Sequence, residues 1–474
     1  MRNSVTGIRE MLGPGSRATV VESLSGASPI QSSLGNARAG EWDALLRQSS
    51  YVLVVCSVSR SAPDVLNMLW LLDAGIAIVL VDHCDRQRAE DAITRLGATH
   101  WYQNGVLRAL GTRRSVPVRV ERRIVLPTSG SSGIPRYVSL SAMAVLQNAA
   151  AVGGSIGLAD DDIGVTTLGP AYSFGLSNVL AHVLVGASVV SCEVSVTSGD
   201  FWAAMRDVGA TSLAFAASSA PVVLAALRRS LMPPTLRRVM FAGGAVPSHL
   251  LPDLYEHAAR AGVSVHLMYG QTEAGPRIAI SDPSVESTAW GTVGRAIDGV
   301  SARIVDGYGH VLPDGTEGRI QVSSRYVMSG YIHSADDLAT PCETISWLDT
   351  GDCGRRDNAG RLWISGRVDD VRKVSGYRLN IGDIRVVAER TFKLPAAVVT
   401  NLDSVVVCIE TEVAVCGNDP RVASIAAYAG IPSRLLRVVT TKKLPRGANG
   451  KIDRALLAER MFNADAGVKN DGYA

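Results

Sequence analysis

At 474 residues the chain is too long for one ordinary hydrophobic core, so two or more domains are expected. With 47% hydrophobic and 19% charged residues it has the composition of a soluble globular protein, and a net charge of +3 is too small to point to a nucleic-acid partner. Seven cysteines, an odd number without C-x-x-C spacing, argue against a disulfide framework or a zinc site and suit a reducing cytoplasm.

No basic start leads into an apolar core, so no signal peptide is expected. The most apolar stretches, such as residues 179–190, are broken by His182, Gly186 and Ser188, which argues against a membrane partner. Paired arginines at Arg113-Arg114 and Arg237-Arg238 read as solvated surface.

Residues 1–40 are rich in Ser, Gly and Ala and show no sustained periodicity. From there the pattern sharpens into a buried-strand run at 51–58, helical spacing at 63–72 and a second strand at 76–82. Strand, helix and strand in so short a span argue for a βαβ unit and a parallel sheet. His83, Cys84 and Asp85 end that unit and read as a loop terminus, because three consecutive side chains point different ways.

Residues 126–138, LPTSGSSGIPRYV, form the chain's most informative loop. Gly130 and Gly133 let the backbone approach a ligand, while Thr128, Ser129, Ser131 and Ser132 supply hydroxyls beside backbone N–H groups able to form an anion nest. Arg136 adds a planar, permanently charged fork suited to phosphate. By itself such a loop also fits an ordinary exposed turn.

An Ala-rich helix follows at 142–151, then Asp160-Asp161-Asp162, read as solvated carboxylates before a strand at 163–168. GPAYSFGLSNVL (169–180) places Tyr172, Phe174 and Gly175 at a strand–helix junction, and 211–229 reads as strand, loop and helix. A strand in 237–247 ends in Gly243-Gly244-Ala245, where small residues allow a flat ring to approach the backbone. HLMYGQTEAG (266–275) is another strand-end turn, and residues 292–331 have the short strands and Gly-rich turns of an antiparallel meander. Gly307-Tyr308-Gly309 is not a dinucleotide fingerprint, since the third glycine and the following helix are absent. WLDTGD (347–352), GRVDDVRKVSGYRLN (366–380) and LPRGANGKIDR (444–454) complete the set. Lys451 is no Walker lysine, because the motif needs Gly at 445 and Ser or Thr at 452, where Pro445 and Ile452 stand.

Taken in order, these segments resemble the adenylate-forming ANL superfamily: acyl- and aryl-CoA synthetases, peptide-synthetase adenylation domains and firefly-type luciferases. The loop at 126–138 is similar to its Thr-Ser-Gly-Ser/Thr-Thr-Gly-x-Pro-Lys-Gly run, departing at Arg136 and Tyr137. Residues 269–273 match Tyr-Gly-x-Thr-Glu completely, 350–352 match Thr-Gly-Asp, 366–378 resemble the Gly-Arg-x-Asp hinge, and 445–454 resemble the loop that carries the family's catalytic lysine.

The resemblance implies an α/β fold. Its large N-terminal domain (1–367) would hold mostly parallel sheets packed with helices plus a β-meander subdomain. A small mobile α+β domain (368–474) would turn about a hinge near Asp369. It implies ATP and Mg2+ as cofactors. Thr128, Ser129, Gly130, Ser131, Ser132, Gly133 and Arg136 would hold phosphates, and Gly243, Gly244, Ala245, Tyr269, Gly270 and Gln271 the base side of the nucleotide. Thr272 would bond the α-phosphate and Glu273 the metal. Asp352 would take both ribose hydroxyls, Arg367 ribose or phosphate, and Lys451 the attacking carboxylate. Tyr172, Phe174, Gly175 and Ser218 would border a compact or aromatic acid.

The expected activity is therefore formation of an acyl-adenylate with release of pyrophosphate, then transfer to coenzyme A or a carrier-protein thiol. An amine or nitrite in place of the thiol, a non-catalytic nucleotide binder and a kinase-like transferase are the alternatives. After Asn380 the chain reads IGDIRVV, which departs from the Glu-Ile-Glu-type run of many relatives and leaves the second acceptor open.

Overall fold

We describe a computed structural model of the chain, covering residues 19–22, 30–33, 42, 45–46 and 51–462 except 113, 115, 130–134, 283–289, 343, 417–418 and 447–451. The strands Leu53–Val58 and Ala77–Asp82 pair in parallel, buried along almost their whole length as their unbroken apolar sequences require. Between them runs the helix Ala62–Asp73. Ser61 starts it by accepting the Asp64 N–H at 3.4 Å, and Pro63 stands in the first turn, where its missing N–H is no loss.

This unit belongs to a seven-stranded sheet ordered Gly330–Ile332, Pro135–Leu140, Ile124–Ser129, Ala77–Asp82, Leu53–Val58, His100–Gln103 and Val106–Ala109. A nine-stranded sheet faces it, its parallel centre formed by Ser264–Tyr269, Arg238–Ala242, Ser212–Ala216, Ile163–Val165 and Ser188–Ser191. The helices Ala142–Ser155 and Ser173–Leu184 share one apolar core with both sheets. The second is buried from Ser173 through Val183 and has no solvated face, its Asn178 and His182 being bonded to backbone carbonyls inside the core. Gly175 lets its first turn press on the preceding loop, since a Cβ there would lie 2.1 Å from the Gly169 carbonyl oxygen.

Two expectations about charge need correction. Asp162 is buried, with the Arg238 guanidinium at 2.7 Å, the Thr211 hydroxyl at 2.6 Å and the Ala159 N–H at 3.0 Å. Asp160 and Asp161 stay solvated, the latter paired with the half-exposed Arg237 at 2.7 Å. Arg238, read as surface, is buried for the same reason: it lies on a central strand and its charge is matched from the side. Arg114 likewise donates to the Leu96 and Ala335 carbonyls at 2.7 and 3.1 Å.

The meander is also displaced from its expected limits. Its four antiparallel strands are Val300–Val305, Gly318–Ser324, Leu348–Arg356 and Leu362–Arg367, whereas Gly330–Ile332 leaves it to pair with Pro135–Leu140 in the seven-stranded sheet. Beyond lies the hairpin Val371–Val374 and Tyr377–Asn380, turned by Ser375 and Gly376 with φ of 44° and 88°. Asn380 then caps the helix Ile381–Phe392, accepting the Gly382 N–H at 3.0 Å. This helix packs on a separate three-stranded sheet of Ala396–Thr400, Val405–Glu410 and Leu436–Thr441, which has its own apolar core. The architecture is α/β: large, mostly parallel sheets with helices, an antiparallel meander and a smaller α+β portion at the C-terminal end.

Candidate active site

The site is assembled around the end of the strand Ser264–Tyr269. Gly270 permits a tight bend, since a Cβ there would lie 2.2 Å from the Pro276 carbonyl oxygen, and the 3-10 turn Thr272–Ala274 follows. Gly275, at φ 86°, then returns the chain past Tyr326, whose Cβ would stand 2.8 Å from an added Cβ.

At the start of this loop the buried Tyr269 donates its hydroxyl to Asp352 Oδ2 at 2.6 Å. Arg367 Nε stands 3.3 Å from the other carboxylate oxygen. Asp352 and Arg367 are direct partners across the antiparallel pair Leu348–Arg356 and Leu362–Arg367. The Thr350 hydroxyl accepts the Asp352 N–H at 3.1 Å. Burial, reinforced by the Asp352 charge, pushes the Tyr269 phenol far up, so it remains an O–H donor.

Four residues later Glu273 meets a different wall. Tyr331, on Gly330–Ile332, donates its hydroxyl to Glu273 Oε1 at 3.1 Å, and the Met328 N–H bonds the Glu273 carbonyl at 2.8 Å. The Tyr331 phenol is raised by burial and then by the Glu273 charge. Its ring centroid is 5.7 Å from the Arg136 guanidinium carbon, and Tyr331 is the strand partner of Val138. Arg136 and Thr128 form the base of the glycine-rich loop as register partners, joined by a Thr128 hydroxyl bond to the Arg136 carbonyl at 3.4 Å. One short loop thus connects the Asp352–Arg367 pair with the hairpin.

A third wall comes from the start of the helix Ser173–Leu184. The Thr272 hydroxyl donates to Ser173 Oγ at 3.2 Å. A Cβ on Gly243, at φ 79°, would lie 2.6 Å from the Tyr172 hydroxyl, so glycine here admits the tyrosine. Burial raises the Tyr172 phenol. Phe174 is buried beneath the guanidinium of Arg277, 3.8 Å from ring centroid to guanidinium carbon. Gly244, Ala245 and Ser218 are exposed at neighbouring strand ends, and Gln271 is partly exposed.

Gly130, Ser131, Ser132, Gly133 and Lys451 lie outside the described residues. Ser129 is placed by its backbone alone, opposite Pro135, and Asp369 by its backbone in the turn Val368–Asp370. Sequence reasoning missed Asp370, which is buried, bonded by Arg454 and accepts the Arg367 N–H at 3.4 Å. It also missed Tyr331 and Arg277. Tyr331 is 58 positions from its partner Glu273 and gives no local signal, and Arg277, though only four past Glu273, gives none of its inward turn.

Glu273 offers the oxygen chemistry a magnesium ion prefers, and among the described residues no cationic side chain neutralises it. Asp82, His83 and Cys84 also present ligand atoms within 4.8 Å of one another, but all three are exposed. Asp85 instead caps the helix Arg86–Leu96, accepting the Arg88 N–H at 3.0 Å. Among the described residues no helix is long and apolar enough to cross a membrane.

A family model described as AMP-binding enzyme matches residues 36–332. The 2-succinylbenzoate–CoA ligase of Bacillus thuringiensis subsp. konkukian is 28% identical over 329 residues, 68% of this chain and 64% of that protein. Indoleacetate–CoA ligase of Aromatoleum aromaticum is 28% identical over 355 residues, 72% and 68% of the two chains. The match to the first of these thus spans just under two thirds of its length. Among solved structures, O-succinylbenzoate coenzyme A synthetase from Bacillus subtilis, in complex with ATP and magnesium ion, superposes with a TM-score of 0.74 at 18% identity, covering 92% of this chain and 96% of that one.

Proposed function

The chain belongs to the AMP-binding enzyme family, within the adenylate-forming superfamily, and on that premise we propose that it is an AMP-forming ligase. It would activate a small or aromatic carboxylic acid as its acyl-adenylate and pass the acyl group to coenzyme A. The observation that carries this reading is the Tyr269–Glu273 loop, which brings the Asp352–Arg367 pair and the glycine-rich hairpin to one place.

Each group has a chemical task. Two oxygens of Asp352 suit two vicinal ribose hydroxyls, with Tyr269 and Arg367 holding the carboxylate in place. The hairpin's backbone N–H groups and Arg136 would receive the β- and γ-phosphates. Thr272, fixed by Ser173, would donate to the α-phosphate as negative charge builds on it during attack. Magnesium, held by Glu273, would supply charge neutralisation at the phosphates when bound. Lys451 would bridge the attacking carboxylate and the nucleotide and offset the repulsion between two anions. The portion 368–474 would act as a mobile small domain, pivoting at Asp369 to expose the adenylate to its acceptor.

Tyr172, Phe174 and the small Gly243 wall suit a compact or aromatic acid, in keeping with the aromatic acids named for the two relatives. Coenzyme A is favoured as acceptor for the same reason; a carrier-protein thiol or an amine is the second reading, supported by the altered helix Ile381–Phe392. We place the enzyme in the cytoplasm, in a biosynthetic pathway. The test is an acid panel assayed for pyrophosphate release with and without coenzyme A. Acid-dependent release with thioester formed only when coenzyme A is present is expected, and release that ignores the acid would overturn the reading.

A further inference from the structure

Arg277 is the feature the mechanism leaves unused. Its side chain is buried, at 2% relative exposure, on the wall shared with Tyr172 and Phe174. It lies over the Phe174 ring, directs Nε at Met268 Sδ at 3.2 Å, and donates one terminal N–H to the Pro276 carbonyl at 2.6 Å. Its backbone is clamped: Asn148 accepts the Arg277 N–H at 3.2 Å and donates to its carbonyl at 2.9 Å.

Every one of these partners is neutral. Among the described residues no carboxylate pairs with Arg277, although elsewhere in the fold the buried Arg238 has Asp162 at 2.7 Å. Burial lowers the guanidinium to about 9, with the nearby Tyr172 phenol acting the other way, so it remains charged near neutral pH. A buried cation without a counter-charge is costly unless an anion arrives to meet it. Five N–H donors in a fixed fork exceed what Met268 and Pro276 accept, which leaves capacity for a carboxylate.

We propose that Arg277 is a specificity-determining residue that receives a second anionic group on the acid, so that the preferred substrate is a dicarboxylate with one carboxylate activated and the other bound at Arg277. This rests on the ligase reading. Phe174, beneath the Arg277 guanidinium, and the neighbouring Tyr172 would line the space between the activated carboxylate and the second one.

The test uses acids matched in skeleton, benzoate with phthalate and phenylacetate with homophthalate, and measures kcat/KM for pyrophosphate release. The full-length protein should favour at least one diacid over its mono-acid by about tenfold or more, the scale of one charge-assisted hydrogen bond in a dry site. Arg277→Gln should shrink that ratio by a similar factor, through KM more than kcat, and Arg277→Lys should restore part of it. A clamp that only supports Phe174 would lower both acids together and leave the ratio unmoved, which would overturn the proposal. Should Arg277→Gln fail to fold, the wild-type ratio decides, and a preference for every mono-acid overturns the assignment. Mono-acid turnover without diacid preference sinks this inference alone; no pyrophosphate from any acid sinks the ligase reading with it.

Discussion

Tyr269 and Asp352, 83 positions apart, meet through a 2.6 Å hydrogen bond whose donor is buried and whose acceptor also faces Arg367. The tyrosine therefore aligns the carboxylate assigned to the ribose. Asp352→Ala should weaken ATP binding by roughly tenfold to a hundredfold, as expected for loss of charged hydrogen bonds worth about 1.5–3 kcal/mol. It should also lower the melting temperature, because the Tyr269 hydroxyl is left buried without that acceptor. Calorimetric titration with ATP checks the first effect and thermal unfolding the second; unchanged affinity would remove Asp352 from the ribose site.

Glu273 is held by the Tyr331 hydroxyl, and among the described residues no cationic side chain pairs with it. Glu273→Gln keeps the shape and removes the charge, so the magnesium concentration giving half-maximal pyrophosphate exchange should rise by at least about tenfold. A magnesium titration of wild type and variant decides it. Coincident curves would place the metal elsewhere.

Gly243 makes room for Tyr172. Gly243→Ala puts a Cβ into a left-handed position, costing about 1–2 kcal/mol, and 2.6 Å from the Tyr172 hydroxyl. KM for the acid should rise more than KM for ATP. Adding Tyr172→Phe removes the clashing oxygen and should recover part of the acid affinity, a non-additivity that a double-mutant cycle measures. Simple additivity would separate the two residues functionally.

How much of this was legible beforehand follows the range of each interaction. The parallel strands at Leu53–Val58 and Ala77–Asp82 and the turn at Thr272–Ala274 are set by neighbours in sequence, and their patterns announced them. Pairings that depend on the fold were not readable: Tyr331 reaching Glu273, Gly330–Ile332 leaving the meander, and Asp162 buried against Arg238. A carboxylate run reads as solvated unless one knows that the distant strand Arg238–Ala242 brings an arginine beside Asp162. Arg277 shows the same limit, since nothing local says that an arginine after Gly275-Pro276 turns inward onto Phe174.

His182 and His266 are both buried and held below the ordinary imidazole value, chiefly by burial and against the pull of the Asn178 and Ser281 carbonyls. His182 is seated against Gly164, where a Cβ would be 2.5 Å from its ring, and its Nε2 has no hydrogen-bond partner among the described residues. Because the folded values lie below the unfolded one, their contribution is fully present above about pH 6.5 and is lost as pH falls through the folded values. Unfolding free energy from urea titrations should thus decline between about pH 7 and pH 5.5, above the range in which ordinary carboxylates titrate. The buried His100 is lowered in the same way, so His182→Gln should remove roughly a third of that slope. A flat profile across this window would contradict the burial argument.

The central claim is that the nucleotide is cut at its innermost phosphorus, and the nucleotide product measures this directly. With ATP, magnesium, an accepted acid and coenzyme A, the account predicts AMP and pyrophosphate in equal amounts, with Lys451→Ala still binding ATP but nearly inactive. Acid-dependent formation of ADP and phosphate would contradict it.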